Sequence, residues 1–316
     1  MNKLGAMAIL LRVVEAGSLS AAAKQLDVPL ATVSRRIAEL EAHLQTRMLN
    51  RSSRRLSLTE AGRGYVEACK RILEQVEEAE RAATGVYKDP KGRLTVTAPV
   101  VFGRTHLIPL ISEFLTRYPD IDIKLLLADR LLDLLEADVD VALRIGELDD
   151  SSLIALKVGT VRRVTCASPS YLARYGRPRK PEDLREHFAV TFDNLASPEA
   201  WRFSSAPGDA VVPIRSRLTV TTAEAAREGA MAGLGLTRLL SYQIAEAKRA
   251  GALEVVLDDY ELPPWPVSLV YVGQQLLPGK LRAFLDFAAP RLRDLLSAEA
   301  AAFELPGRRE GRNQTG

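Results

Sequence analysis

Residues 26–44, LDVPLATVSRRIAELEAHL, combine regularly spaced apolar side chains with a surface of hydroxyl and guanidinium groups. The apolar side chains recur at intervals of four, three and four residues and are Val33, Ile37, Leu40 and Leu44. This spacing predicts a helix that buries one face. The opposite face carries Thr32, Ser34, Arg35, Arg36 and Glu39. Such groups can enter a major groove and bind base edges, although many polar helix faces are only solvated.

The residue types that most often carry catalysis or bind metals do not cluster along the sequence. His43, His106 and His187 lie in different segments, with no cysteine or serine elbow beside them. Cys69 and Cys166 are far apart and lack CxxC spacing. Glycine patterns of the GxGxxG or P-loop type are also absent from the sequence. We therefore expect no enzyme, no disulfide framework, no metal site and no cofactor.

The composition is typical of a globular, soluble protein with two or three domains, since 47% of the 316 residues are hydrophobic and 26% are charged. Residues 1–65 carry ten Lys and Arg against five Asp and Glu, a balance of +5, whereas the remainder carries 33 against 35. An N-terminal module that binds a polyanion would explain this asymmetry. No export signal or bilayer-spanning apolar run is found, so we expect a cytoplasmic protein without membrane contact.

Two further helical patterns precede residues 26–44. The first has apolar residues at helical spacing and ends at Gly17. The second follows at once, with Ser18 or Ser20 available to cap it. Residues 27–29 form the turn before the third helix. Two helices, a tight turn and a helix are typical of a helix-turn-helix, whose last helix lies in the major groove. A three-helix interaction bundle is the alternative.

A short strand-turn-strand pattern follows the third helix. The strands are predicted at residues 48–49 and 56–58, with polar residues 50–53 between them. The arginines around this hairpin are Arg47, Arg51, Arg54 and Arg55. On a wing beside the DNA they would lie at the height of the phosphates and reach the minor groove. A solvated hairpin is the alternative interpretation.

A long helix is predicted from Thr59, which can cap it, to Val86. Its apolar residues form a seam with one slip in register, and they are Ala61, Tyr65, Ala68, Ile72, Val76, Ala79, Ala83 and Val86. A seam of this length favours pairing with the same helix of a second subunit. Packing on its own chain is the alternative.

From Arg93 the sequence alternates between strands and helices, which predicts an α/β fold with a mainly parallel sheet. The predicted strands are 94–98, 121–127, 139–145, 161–167, 218–222, 235–240 and 267–272, and the predicted helices are 107–117, 130–137, 169–175, 223–232 and 281–295. Two such lobes joined by two crossings predict a cleft, where ligands bind near the carboxyl ends of strands. Residues 298–316 are predicted to be a disordered tail.

Three stretches of the sequence resemble LysR-type transcriptional regulators. TVSRRIAELEAHL (32–44) and RSSRRLSLTEAG (51–62) resemble the DNA-binding domain of that family. YPDIDIKLLLADRLLDLLEADVDVALRIGELDDSSL (118–153) resembles its effector-binding domain, which has the periplasmic-binding-protein fold. The sequence departs from the family pattern at Gln45, where glycine is usual, and at Asn50, where an arginine is common.

The resemblance implies an α/β protein with an N-terminal winged helix-turn-helix, a linker helix and a two-lobed effector domain of periplasmic-binding-protein type. The implied boundaries are 1–58 for the DNA-binding domain, 59–91 for the dimerising linker helix and hinge, and 92–297 for the effector-binding domain. Lobe I would comprise residues 92–161 and 266–297, and lobe II residues 162–265.

Matching positions imply which residues bind DNA and effector. Thr32, Ser34 and Arg35 would contact bases, and the full DNA-binding set is Ser18, Ser20, Thr32, Ser34, Arg35, Arg36, Arg51, Arg54 and Arg55. The effector-binding set is Pro99, Val100, Phe102, Asp129, Arg144, Thr221, Thr222 and Thr237. Two of these have simpler explanations, since Thr222 can cap the next helix and Arg144 can pair with Asp138 or Asp140.

The implied partners are double-stranded promoter DNA, a small-molecule effector, RNA polymerase and further copies of the chain, as a homodimer or homotetramer. Two other protein classes are alternatives. A small-molecule binding protein without DNA function would leave the first 90 residues without a role. A pure oligomerisation module would leave the wing arginines and the two lobes unexplained.

Overall fold

The computed structural model describes residues 2–52, 55–83, 90–129, 134, 139–148, 153–192, 200–205, 208–273 and 277–303, and for residues 51, 52, 55, 71, 78 and 81–83 the backbone alone. The chain divides into two compact units, Met1–Lys88 and Asp89–Gly316. No single helix in the described ranges has the length and apolar composition to cross a membrane; the first two helices meet that test only together, across a bend of 113°.

Three helices begin the first unit, and they are α1 (Lys3–Ala16), α2 (Leu19–Gln25) and α3 (Leu30–Leu44). Gly17 ends α1 with a φ of 71°, a conformation that glycine adopts at little cost. Ser18 caps α2, because its hydroxyl accepts the Ala21 amide at 3.1 Å. Ser20, the alternative cap, lies inside α2. The turn of residues 27–29 precedes α3 as predicted.

The wing is an antiparallel pair, β1 (Leu49–Ser52) and β2 (Arg55–Leu58), so its strands are longer than the sequence suggested. Glu41 of α3 fixes the start of this hairpin: its carboxylate accepts the amides of Met48 at 2.8 Å and Leu49 at 3.1 Å. Gln45 ends α3 with a φ of 51°, a left-handed conformation that glycine adopts with less strain. The wing is thereby held directly to α3.

Helix α4 (Glu60–Ala83) begins after Thr59, whose hydroxyl accepts the Gly62 amide at 2.9 Å and so caps the helix as predicted. Gly62, Val66 and Cys69 are buried on the side of α4 that packs within the first unit. Residues 84–86 at the predicted end of the helix lie outside the described residues.

Two glycines of α4 give opposite predictions for substitution by alanine. A Cβ at Gly62 would overlap the carbonyl oxygen of Met48, whereas a Cβ at Gly64 would meet no atom within 4 Å. We expect Gly62→Ala to destabilise the first unit by about 1–3 kcal/mol through overpacking, and Gly64→Ala to stabilise it by about 0.5–1 kcal/mol through helix propensity. Hydrogen exchange of the α4 amides measures both changes; equal protection in the two variants would contradict the close packing of α4 on the wing.

Lobe I of the second unit contains a five-stranded sheet in the order β4-β3-β5-β14-β6. Its elements are β3 (Gly92–Ala98), α5 (Val100–Phe102), a π-helical turn (Gly103–Leu107), α6 (Ile108–Arg117), β4 (Ile121–Leu127), β5 (Val141–Ile145), β6 (Leu153–Val161), β14 (Trp265–Val272) and α10 (Gly279–Phe303). The helix predicted at residues 130–137 falls outside the described residues except Leu134.

The expectation of a mainly parallel sheet is wrong for lobe I. Strand β3 pairs in parallel with β4 and β5, but β14 pairs antiparallel with both β5 and β6. Strand β6 was not predicted. It lies at the edge of the sheet, and its residues show no regular alternation of exposed and buried side chains. Strands are predicted from such an alternation with a period of two, so the sequence gives no clear signal for this strand.

Lobe II repeats this strand arrangement. Its elements are β7 (Arg163–Ala167), α7 (Pro169–Tyr175), a 3₁₀ turn (Pro181–Glu186), β8 (Phe188–Phe192), β9 (Ala200–Phe203), β10 (Ala210–Pro213), β11 (Arg215–Val220), α8 (Ala223–Met231), β12 (Thr237–Leu240), α9 (Ser241–Arg249), β13 (Glu254–Val256) and a second 3₁₀ turn (Asp258–Tyr260). Strands β11 and β8 are parallel, and a parallel bridge from Ala189 to Leu236 joins them to the antiparallel order β12-β7-β13.

The final helix corrects the prediction of a disordered tail from residue 298. Helix α10 continues to Phe303, which is buried, and its ring lies 3.9 Å from the Nζ atom of Lys248 and 5.1 Å from the guanidinium carbon of Arg162. Alanines at residues 300–302 favour helix, and the burial of Phe303 gives that helix an anchor. Residues 304–316 lie outside the described residues.

Candidate DNA interface and effector cleft

Helix α3 has the two faces that its sequence predicted. Val33, Ile37 and Leu40 are buried in the core of the first unit, and Leu44 packs against it. On the other side, the Arg35 side chain is 67% exposed. Thr32 and Ser34 are half-buried, so their hydroxyls lie at the border between the core and the open surface. The open surface of α3 therefore presents short hydroxyl groups beside a guanidinium group.

Glu39 organises the two arginines of this surface. Its carboxylate lies 3.7 Å from the Nε atom of Arg35 and 3.3 Å from an Nη atom of Arg36. Such exposed pairs contribute about 0.3–0.5 kcal/mol to stability in a helix. The pairs therefore orient the two guanidinium groups weakly, and a phosphate or a base edge can replace the carboxylate.

Leu30 is an apolar surface residue of α3 that is not in the predicted DNA-binding set. Its side chain is 50% exposed on the first turn of the helix. The residue lies three positions before Val33, so spacing alone would place it on the buried stripe. An exposed apolar side chain of this kind has the chemistry to contact the methyl group of a thymine.

The remaining predicted DNA-binding residues are only partly covered by the structure. Ser18 is engaged as the cap of α2, and the exposed Ser20 lies with its Oγ atom 3.3 Å from that of Ser18. Arg51 and Arg55 belong to β1 and β2, where the backbone alone is described. Arg54 lies outside the described residues.

The effector-binding positions of lobe I lie at or beyond the carboxyl ends of β3, β4 and β5. Pro99 and Val100 follow β3, and the Val100 amide donates to Asp129, which follows β4, at 3.0 Å. This bond joins the ends of two neighbouring strands. Arg144 is half-buried in β5, and burial lowers the pKa of its guanidinium.

One of the two suggested partners of Arg144 is engaged with other groups. The Asp140 carboxylate accepts the Thr95 amide at 2.7 Å and lies 3.9 Å from the Nζ atom of Lys280. The other suggested partner, Asp138, lies outside the described residues.

Phe102 lies in the contact between the lobes rather than on an open wall. It is fully buried, and its ring meets those of His106 at 4.8 Å and Tyr242 of α9 at 5.2 Å, both edge to face. Arg104 of lobe I also pairs with Glu224 of lobe II at 2.9 Å. The contacts of Phe102 with Tyr242 and of Arg104 with Glu224 were not predicted, because residues more than 100 positions apart carry no local signal of their proximity.

The lobe II positions differ in their surroundings. Thr221 and Thr222 are exposed between β11 and α8, and the Thr222 hydroxyl accepts the Ala225 amide at 3.2 Å. Thr237 of β12 is fully buried, and its Oγ1 atom has no hydrogen-bond partner within the described part of the chain. Among the described residues no cluster of His, Cys, Asp and Glu could hold a metal ion.

Alanine variants of the neighbouring residues Thr222 and Thr221 test whether Thr222 caps α8. We expect Thr222→Ala to lower the free energy of unfolding of the second unit by about 1 kcal/mol, because it removes the cap of α8. Thr221→Ala should change stability by less than about 0.5 kcal/mol, since it is exposed and next to the cap. Urea unfolding of the full-length chain, monitored by a fluorescence change of Trp201 or Trp265, measures both; a cost that is equal for the two would contradict the capping role.

A winged helix-turn-helix joined to a two-lobed α/β unit defines a class of protein, the DNA-binding regulators that sense a small molecule. The chain matches the family model "Bacterial regulatory helix-turn-helix protein, lysR family" over residues 4–63 and "LysR substrate binding domain" over residues 88–293. The chain belongs to the LysR family of bacterial transcriptional regulators.

Individual relatives agree with this assignment along nearly the whole chain. An HTH-type transcriptional regulator of Xanthomonas campestris pv. campestris is 37% identical over 90% of this chain and 84% of its own. An HTH-type transcriptional repressor of Pseudomonas aeruginosa is 35% identical over 91% of both chains. The solved structure of CrgA, a LysR-type regulator from Neisseria meningitidis, is 34% identical, covers 91% of this chain and 98% of its own, and has a TM-score of 0.59.

The chain is therefore a LysR-type transcription regulator with a DNA-binding and an effector-binding domain. Regulators of this family bind DNA and small-molecule effectors and form oligomers.

Proposed function

We propose that the chain binds promoter DNA by placing α3 in the major groove, with Thr32, Ser34 and Arg35 at the base edges. The observation that carries this proposal is the attachment of the wing to α3 through Glu41. Because its carboxylate accepts the first amides of the wing, the wing keeps a fixed position beside the helix that reads the bases. Arg36 and the wing residues Arg51, Arg54 and Arg55 would bind phosphates or the minor groove. Ser18 and Ser20 complete the proposed set.

Two arginines of α3 should affect DNA binding differently. Arg35→Ala should reduce specific affinity by about 1–3 kcal/mol while leaving non-specific binding nearly intact, as expected for a base contact. Arg36→Ala should weaken both kinds of binding and lower the slope of log affinity against log salt by about one. Footprinting on the DNA that flanks the gene, with gel-shift titrations at several salt concentrations, measures both.

The control variant is Arg12→Ala, an exposed arginine of α1 that pairs with Glu15 at 3.1 Å. It removes the same charge outside the proposed interface and should leave the footprint unchanged. Equal losses in all three variants would mean that net charge alone, and not the surface of α3, determines binding. Sequence-independent binding on every DNA tested would contradict the proposed base contacts.

We also propose that α4 pairs with α4 of a second copy to form a homodimer. The face packed within the first unit carries Gly62, Val66 and Cys69, whereas the predicted seam lies beside it. Ile72 on that seam is 37% exposed, so its side chain is accessible to a second helix. A dimer would bury it and place two DNA-binding domains on paired half-sites. A tetramer would arise from further contacts between effector domains.

The α4 proposal predicts a loss of dimers when a charge enters the seam. Ile72→Glu should weaken the dimer at least tenfold, since pairing would bury an unpaired carboxylate. Lys70→Glu, which places a carboxylate at an exposed position on the opposite side of α4, is the control and should leave the dimer intact. Sedimentation velocity over a range of concentrations gives both constants. A dimer unaffected by Ile72→Glu would place the interface elsewhere.

We propose that the effector binds between the lobes at Pro99, Val100, Phe102, Asp129, Arg144, Thr221, Thr222 and Thr237. The contacts of Phe102 with Tyr242 and of Arg104 with Glu224 lie where the lobes meet, so a ligand there would favour one lobe arrangement over another. Such a change in lobe arrangement would alter how paired winged domains span the promoter, and with it the access of RNA polymerase. In this proposal the protein acts in the cytoplasm and catalyses no reaction.

A further inference from the structure

Two arginines of lobe II lie on one face of a sheet, and no salt bridge holds either of them among the described residues. In the register of β7 and β12, Leu240 faces Arg163 and Arg238 faces Thr165. Residues two apart on a strand share a face, so Arg163 and Arg238 occupy neighbouring positions on the same face. Each guanidinium lies over an aromatic ring: Arg163 is 4.6 Å from the centroid of Trp265, and Arg238 is 4.5 Å from that of Phe203.

These guanidinium groups are removed from water without full compensation. Arg238 is only 4% exposed, and the Nε atoms of both arginines are buried with no hydrogen-bond partner among the described residues. Burial, together with the charge of Arg163, lowers the pKa of Arg238 to about 9. An unpaired buried charge is costly. Stacking on an aromatic ring recovers only part of such a cost.

The neighbouring charges increase the positive surplus. Arg202 lowers the pKa of Arg163, and Glu261 is the acid that acts on Arg238. The Glu261 carboxylate, however, is already bound on both oxygens by Arg162, at 2.7 and 2.8 Å. Among the described residues, the Glu261 carboxylate is therefore engaged by Arg162, although it also acts on Arg238 and is itself influenced by Asp258.

We propose that Arg163 and Arg238 form an oxyanion-binding site in lobe II, which takes the carboxylate or phosphate group of a small molecule. A planar guanidinium binds such groups through two parallel hydrogen bonds, and two guanidiniums match the charge surplus. Arg163 is half-buried and Arg202 exposed, so the site has access from solvent on that side. The rings of Phe203 and Trp265 give it apolar walls.

The site is distinct from the proposed effector set. It uses none of those eight residues, and Thr237, although next to Arg238 in sequence, points to the opposite face of the sheet. An effector that binds between the lobes and an anion held by Arg163 and Arg238 can therefore be tested separately.

The test is the unfolding midpoint of the full-length chain in Tris chloride, titrated with sodium benzoate or sodium phosphate against sodium chloride at equal ionic strength. We expect a saturable rise with at least one oxyanion. A response to benzoate alone would mean that the site binds the carboxylate group of its ligand. A response to phosphate alone would mean that it binds a phosphate group. Arg238→Met should raise the apparent dissociation constant about tenfold or more. Without oxyanion it should unfold at the same midpoint as the natural chain or higher, because it removes an unpaired buried charge.

The matched control is Arg217→Met, since Arg217 lies over the ring of Phe188 at 5.0 Å in the same lobe but is exposed. It should keep the full oxyanion response. Should Arg238→Met fail to fold, Arg163→Met at the half-buried position serves the same test. No saturable response to either anion, or the same response in Arg238→Met, Arg163→Met and Arg217→Met, would overturn the proposal.

Discussion

The pairing of β14 with β5 and β6 is the interaction on which the whole effector domain depends. Residues 265–272 come from near the end of the chain, yet they lie between two strands formed by residues 141–161. The lobe I sheet therefore lacks its fourth strand until the chain has passed through lobe II and returned as β14. The two lobes are tied by two crossings, and the contacts of Phe102 and Arg104 with lobe II form beside them.

The local features of the first unit could be predicted from sequence because short-range physics determines them. The stripe of Val33, Ile37 and Leu40 is buried as its spacing requires, Gly17 ends α1, and Ser18 and Thr59 cap the helices that follow them. Each of these depends on residues a few positions apart, so the pattern is visible in a single sequence.

The features that were missed depend on contacts between distant residues. The antiparallel half of the lobe I sheet and the ion pair of Arg104 with Glu224 both join distant segments whose pairing no local pattern encodes. Arg163 and Arg238 are ordinary arginines in the sequence, and the strand register alone makes them neighbours. The predicted effector positions came from resemblance, which indicates where a cleft lies but not which side chains, such as Phe102, are closed off by packing.

Helix α10 gives the carboxyl end of the chain a mechanical role. Most of the helix packs on lobe I, but Phe303 at its end lies against Lys248 and Arg162 of lobe II, and the Phe303 carbonyl accepts a hydrogen bond from Lys248 at 3.0 Å. Between these attachments lies Pro290, which has no amide hydrogen to donate and so weakens the helix at one point. Helix α10 thus links the two lobes and contains one weakened position at Pro290. Removing Phe303 would break these contacts between the helix and lobe II.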